Sequence, residues 1–323
     1  MRMYAGVDLG ATNLRAVVTD VEGRILGRDR RSTPQNEGGI AVTEAVLDAV
    51  RAACEAAGTT TTRITAVGIG SIGPLDTAAG AVENPVNVAG ADRIPLVGPV
   101  QNLVDSDAVY LHNDANAGVL AERFYADHAP DDMVYLTISS GIGAGVCVDG
   151  TLLSGWDGNA GEVGHVALDP EGPVTCGCGG TGHWEAFCSG ENIPEYARIL
   201  HEREDVATDL PLEGDGFDAA AVFDAAGADP LADRVIERLA HWNSHGIATI
   251  VHAYAPITIS VGGAVALNNP ELVLDPVRER LPELVVSNVP EIRLTEYGDD
   301  IVVKGAVASA MTAGTGDRGR IRR

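Results

Sequence analysis

The apolar positions of this chain fall into short runs punctuated by glycine. "YAGVDLG" followed by "NLRAVVTDVEGRILGRDR" reads as strand, Gly turn, strand, a turn at Glu22-Gly23 and strand, a β-meander. The period then changes. Residues 38–58, "GGIAVTEAVLDAVRAACEAAG", carry the spacing of an amphipathic helix closed by Gly58. "ITAVGIGSIGPLD" reads as a buried strand entering a Gly/Pro loop, and "AVYLHNDANAGVLAERFYAD" as strand, polar turn and helix. A second meander of the same design opens at "MVYLTISSGIGAGVCVDGTLLSG", with a Ser/Gly turn and another turn at Asp149-Gly150. Two such meanders separated by helices predict a duplicated α/β fold. From about 190 to 255 the pattern is mostly helical, with an acidic, Gly-rich break at 204–217. "ITISVGGAVALNN" adds a buried strand and a Gly turn, and "DDIVVKGAVASAMTAG" a last helix. The basic stretch "TGDRGRIRR" reads as a disordered tail.

At 323 residues the chain has room for two domains with real cores. No apolar run reaches the roughly 18 residues that suggest a membrane span. The first Gly turn comes too early for a signal peptide, so a cytoplasmic protein is expected. The net charge is −24, spread along the chain, and Lys304 is the only lysine. Such a surface repels nucleic acid and anionic membranes, so neither is expected as a partner. It resembles proteins adapted to concentrated salt. Cys54 and Cys147 lie in apolar contexts and read as buried free thiols.

Three Gly turns follow strands. In "GVDLGATNLR" Asp8 ends a strand and the chain turns through Gly10, Ala11, Thr12 and Asn13, with Arg15 nearby. Main-chain N–H groups in such a turn can cradle phosphate oxygens, although an ordinary β-turn has the same composition. The motif is neither a Walker loop nor a Rossmann turn, because no G-K-[ST] follows and a strand stands where a helix belongs. "SSGIGAGV" (Ser139, Ser140, Gly141, Gly143) repeats the theme, and Gly262-Gly263 supplies a third turn. Three together suit a nucleotide cleft in a duplicated fold. In "LHNDANAG", Asn113 and Asp114 stand at a strand-to-helix turn. There a carboxylate can accept a proton or simply cap the helix.

"CGCGGTGHWEAFC" packs three of the five cysteines into thirteen residues. With His165 upstream, Cys176, Cys178 and His183 form a Cys2His2 set suited to tetrahedral structural zinc. C-x-C spacing disfavours a redox site. Cys188 is close enough in sequence to compete for a ligand position.

These motifs together resemble the ROK family of sugar kinases, over essentially the whole chain. Asp8-Leu9-Gly10-Ala11-Thr12 is similar to the family's D-x-G-G-T, Ser139–Gly143 to G-T-G-x-G, and Gly262-Gly263-Ala264 to a G-G-G adenosine turn. "HNDANA" matches E-N-D-A-N-A except that His112 replaces Glu, and the zinc motif matches except that His183 replaces a cysteine. The Ala11 and Ser139 replacements raise the cost of any left-handed backbone there.

The resemblance implies an actin-like ATPase fold of two duplicated α/β lobes, ATP with Mg²⁺ near Asp8, and structural Zn²⁺. Asp114 becomes the general base and Asn113 a sugar ligand. Gly73, Asn87 (with Asn84 as fallback), Glu162, His165 and Glu185 become further sugar contacts, Glu185 being positioned only by the zinc loop. The implied reaction is phosphorylation of a hexose, with glucose at its 6-hydroxyl favoured over fructose, mannose, N-acetylglucosamine or N-acetylmannosamine. A sugar-sensing repressor of the same family needs an N-terminal DNA-binding segment, for which a phosphate turn this early leaves no room. The family commonly forms dimers or tetramers, so a homo-oligomer is expected. The expected lobes are 1–115, completed by a helix at 303–314, and 116–302, which carries the zinc loop 165–183; 315–323 forms the tail.

The charge generates a first prediction. Lowering KCl from molar to about 0.1 M lengthens the Debye length from about 3 Å to about 10 Å and unmasks self-repulsion. Activity and far-UV circular dichroism should both fall. Full activity in dilute buffer would remove the halophilic reading.

Overall fold

The computed structural model describes residues 2–85, 87–126, 130–156, 158–214 and 216–321. Its contacts divide the chain into two compact units. One comprises Met1–Asp131, Gly145–Ala160 and Asp299–Arg323, the other Asp132–Ala144 and Gly161–Gly298.

The first unit opens with β1 (Met3–Leu9), β2 (Asn13–Thr19) and β3 (Ile25–Ser32), the expected meander. Helix α1 (Gly39–Ala56) follows. It ends in a Schellman motif, with Thr59 N–H on the Cys54 carbonyl and Gly58 N–H on that of Glu55. Next come β4 (Ile64–Ser71), a small sheet of β5 (Leu75–Asp76), β6 (Ala81–Glu83) and β7 (Arg93–Pro95), then α2 (Val97–Val104), β8 (Val109–Asn113) and α3 (Asp114–Tyr125). The main sheet has the order β3-β2-β1-β4-β8, with β4 and β8 parallel to β1.

The chain continues through β9 (Met133–Ile138), β10 (Ile142–Val148) and β11 (Thr151–Leu152). Helix α4 (Trp184–Cys188) precedes the predicted helical region, which α5 (Ile193–Glu204), α6 (Ala219–Asp224) and α7 (Pro230–Tyr254) fill. After them come β12 (Thr258–Gly262), α8 (Ala264–Asn268), α9 (Pro270–Val273), α10 (Asp275–Leu284), β13 (Glu291–Leu294) and α11 (Ile301–Thr312). The second sheet runs β11-β10-β9-β12-β13, again a meander extended by two parallel strands. The duplication expected from the two meanders is therefore present strand for strand. No helix among the described residues is long and apolar enough to cross a membrane.

Two boundaries differ from expectation. Helix α3 and residues 145–160 belong to the first unit rather than the second. The cause is close packing: Gly145 lies against the Ala115 carbonyl, where a Cβ would come within 2.1 Å. The tail is also ordered as far as residue 321; residues 322–323 lie outside the described set. Arg123 Nη1 donates to the Thr315 carbonyl at 2.9 Å, Arg318 donates to the Phe124 carbonyl, and Ile321 packs on the apolar cluster below. Its basic residues are thus partly used as anchors.

Helix α11 lies on the first sheet with almost nothing between the backbones. A Cβ on Gly68 of β4 would stand 1.9 Å from the Ala306 carbonyl, and one on Gly305 would stand 1.7 Å from the Ala117 carbonyl of α3. Gly305→Ala must push two helices apart. It should cost about 1–3 kcal/mol, the range for overpacking a tight core, read as a lowered chemical-denaturation midpoint.

Candidate active site

Strand register brings distant residues of the first unit into one row. Arg15 pairs with Asp8, Asp8 with Gly70, and Gly70 with His112 across four adjacent strands. Asp8 is 6% exposed and accepts from Arg15 Nε at 2.9 Å and Nη2 at 2.6 Å. Arg15 Nη1 reaches Asp300 at 3.5 Å. Burial pushes the Asp8 carboxyl up to about 6; Arg15 pulls it down, while Asp114 and Asp300 push it up. Since the folded chain holds this proton more tightly than the unfolded one, Asp8 costs no stability below the ordinary 3.8 and its full cost once the pH passes about 6. A buried carboxylate held against its own charge suits a cation.

The Gly10–Asn13 turn is tied down from behind. Thr33 donates to the carbonyls of Gly10 and Thr12, through Oγ1 at 2.8 Å and N–H at 3.0 Å, and Gln35 Nε2 donates to that of Ala11 at 2.7 Å. Neither Ala11 nor Ser139 has a left-handed backbone, so the expected cost of these replacements is absent. Thr12 and Asn13 are exposed, and Asn13 Nδ2 donates to Thr12 Oγ1.

At the end of β8 the cap of α3 falls to Asn113. Asn113 is the helix cap: its Oδ1 accepts from Asn116 N–H at 2.7 Å. Asp114 is the first residue of α3, and its Oδ1 accepts from the adjacent Ala115 N–H at 2.7 Å. Solvent reaches its side chain, yet the protein around it desolvates the carboxyl and pushes it up from the ordinary value, against that N–H. Gly73 is exposed. Asn84 adopts a left-handed backbone with φ 47° and bonds Asp92 through its N–H, whereas Asn87 is exposed on the same loop.

In the second unit, Ser139, Ser140, Gly190, Ala219, Phe223 and Asn268 help line a cavity of about 500 Å³. It is bounded by the Ser/Gly turn, α6 and the turn after β12. Gly263 there has φ +88° and lies against the Ile138 carbonyl, 2.4 Å from where a Cβ would stand, so glycine is required. Gly262 ends β12, and Gly143 lies within β10. Sequence reading did not find Thr33, Gln35, Asp300 or the α6 wall of the cavity. None carries a local motif, and only tertiary pairing brings them in.

His165, Cys176, Cys178 and His183 converge as their spacing suggested, with one ligand atom from each lying within 4.8 Å of the others. Two bridges, Ala167 with His183 and Thr175 with Thr181, fold the segment into a hairpin that brings the histidines together. Cys176 Sγ is 3.7 Å from His165 Nδ1, and Cys178 Sγ is 3.3 Å from His183 Nδ1. Ligands at about 2.3 Å (S) and 2.0–2.1 Å (N) on a tetrahedron stand about 3.6 Å apart, so the donors fit zinc. Burial, reinforced by Cys178 and Glu185, pushes the Cys176 thiol up to about 11.

Cys188 is not a competitor. It is buried on α4 with its Sγ toward the Leu239 carbonyl at 3.9 Å, and burial pushes its thiol well up. Glu185 is not held by the zinc loop alone either. Its Oε2 accepts from Ile142 N–H at 2.8 Å, and its neighbour Trp184, fully buried, donates to Asn243 at 2.9 Å. A Cβ on Gly141 would come within 2.7 Å of Glu185 Oε2, so the Ser/Gly turn is built around this carboxylate. Glu162 is exposed, with its Oε2 3.9 Å from His165 Nε2.

The model of the ROK family matches residues 4–313. The chain belongs to the ROK family. It is 37% identical over 310 residues to a glucokinase from Pyrobaculum calidifontis, covering 96% of this chain and 95% of that one. Among solved structures, the ROK hexokinase from Thermus thermophilus superposes with a TM-score of 0.82 at 34% identity, covering 95% of this chain and 97% of that one. A ROK glucokinase from Streptomyces griseus, solved with glucose and AMPPNP, superposes at 0.73 with 31% identity, covering 95% and 99%. The duplicated sheets of this ROK protein are thus those of the actin-like ATPase fold.

The cluster geometry predicts about one zinc ion per chain by elemental analysis. Cys178→Ser should lose it, while Cys188→Ser and His183→Cys should keep it. Zinc lost from Cys188→Ser but retained in His183→Ala would contradict the ligand set.

Proposed function

We propose that this ATP-dependent ROK sugar kinase phosphorylates glucose at its 6-hydroxyl, with Asp114 as the general base. The observation that carries the reading is the division of labour at the start of α3. Asn113 takes the cap, which leaves the Asp114 carboxylate for chemistry. A carboxylate in this position accepts the hydroxyl proton as the oxygen attacks the γ-phosphorus. Asn113 spends its Oδ1 on the helix and offers Nδ2 to a sugar hydroxyl.

Glu162, His165 and Glu185 are the remaining sugar ligands the motifs assign. His165 turns Nδ1 toward Cys176, which leaves Nε2 for the sugar. Asn87 is favoured over Asn84, whose left-handed backbone serves its own turn. Gly73 has no heavy atom within 3.8 Å of a notional Cβ, leaving space at its surface for a ligand.

The turns at Gly10–Asn13 and Ser139–Gly143 hold phosphates through main-chain donors, and the 500 Å³ cavity takes the nucleoside. Mg²⁺, bound with ATP and held by Asp8, supplies neutralisation of the phosphate oxygens. Zinc on its four ligands supplies a crosslink that stiffens the hairpin.

In molar KCl, glucose should give the highest kcat/KM among glucose, fructose, mannose, N-acetylglucosamine and N-acetylmannosamine. Asp114→Asn should lose at least about 10²-fold in kcat, the low end for a general base, while glucose binding by calorimetry persists. A base must be ionised, so activity falls as pH drops through the Asp114 pKa. Desolvation places this acidic limb above the ordinary carboxylate value. Near wild-type turnover in Asp114→Asn would reduce Asp114 to a structural residue.

A further inference from the structure

His112 stands where this chain departs from the family's E-N-D-A-N-A motif, next to the Asn113-Asp114 pair. In a parallel ladder, paired residues point to the same face. A Cβ on Gly70 would meet Val302 of α11 and Ala117 of α3, so the row Asp8, Gly70, His112 faces α11. The two polar members of that row each engage the helix or the residue leading into it. At one end Asp8 holds Arg15, which reaches Asp300 immediately before α11. At the other, His112 Nε2 is 2.8 Å from Ser309 Oγ, and Ser309 is fully buried on α11.

We infer that His112 is a positioning residue for the general base, fastening the end of β8, and with it Asn113-Asp114, onto α11 through Ser309. This rests on the assignment of Asp114 as the base.

The chemistry suits the role. His112 is half-buried, yet the protein around it desolvates the imidazole, so it is favourable only when uncharged and is taken down to about 4. Glutamate at the same place adds a carboxylate to a face that already carries Asp8 and Asp300 and adjoins Asp114. Neutral histidine fastens the strand without adding charge. The bond has one donor and one acceptor in either tautomer, because the hydroxyl can play either part. Because α11 engages both ends of the row, it also sets the spacing between Asp8 and the strand end that carries Asp114.

The test compares wild type, Ser309→Ala, His112→Gln and Asp114→Asn in the full-length protein with ATP and glucose. Ser309→Ala keeps the volume of the helix face and loses only the hydroxyl. It should lower kcat about 10- to 100-fold, the scale on which small misplacements of reacting groups act, with KM for ATP little changed. Proton NMR of the histidine C–H signals should show one imidazole, absent from His112→Gln, that stays neutral down to about pH 4 and whose chemical shifts move in Ser309→Ala. Wild-type kcat in Ser309→Ala, or a His112 signal titrating near the ordinary 6.5, overturns the inference. An inactive Asp114→Asn beside a fully active Ser309→Ala removes this role alone. A fully active Asp114→Asn removes the base assignment and this role with it.

Discussion

The close approach of α11 to the first sheet is the constraint on which the first unit depends. Glycines at positions 68 and 305 let a helix lie on β4 and against α3 with backbone atoms in contact. Nothing larger fits, so the helix cannot slide or tilt without losing its packing. Its first turn begins beside Asp300 and Arg15, and its second half carries Ser309. The ends of β1 and β8 are therefore registered against one rigid rod. The Gly10–Asn13 turn and the proposed base both take their positions from it.

The second unit solves a similar problem by different means. Its Ser/Gly turn and its proposed sugar ligand Glu185 are locked together directly, by the Ile142 N–H and by the space Gly141 leaves. The Cys/His hairpin adds a second hold, since it ends at His183, the residue directly before the short helix that carries Trp184 and Glu185. A buried Trp184 anchors the same short helix on α7. Zinc held there would be one of several restraints on Glu185, so removing it should loosen the carboxylate rather than abolish its placement.

Much of this was legible in the sequence because its motifs are contiguous. Both meanders, the Gly58 helix stop, the Asn113-Asp114 turn and the Cys2His2 set depend on neighbours within one turn or hairpin. The rest depends on strand register and helix packing. Nothing local links Asp8 to His112; only two parallel pairings through Gly70 do. Thr33 and Gln35 support the first phosphate turn from the far end of a meander strand. The assignment of α3 and 145–160 followed from Gly145 meeting Ala115, a contact invisible in either segment alone. The tail looked disordered by composition, yet buried Arg123 binds its carbonyl and holds it. That Asn113 and not Asp114 caps α3 also needed coordinates, since Asn and Asp cap helices equally well.

The central claim is that this site passes a phosphoryl group from ATP to a sugar hydroxyl rather than to water. Phosphorus-31 NMR of a reaction with ATP, Mg²⁺ and glucose in molar KCl tests it most directly. The account predicts glucose 6-phosphate as the phosphorylated product, formed in step with ADP and with little inorganic phosphate. ADP accompanied only by inorganic phosphate, or phosphate on a different hydroxyl, would contradict it.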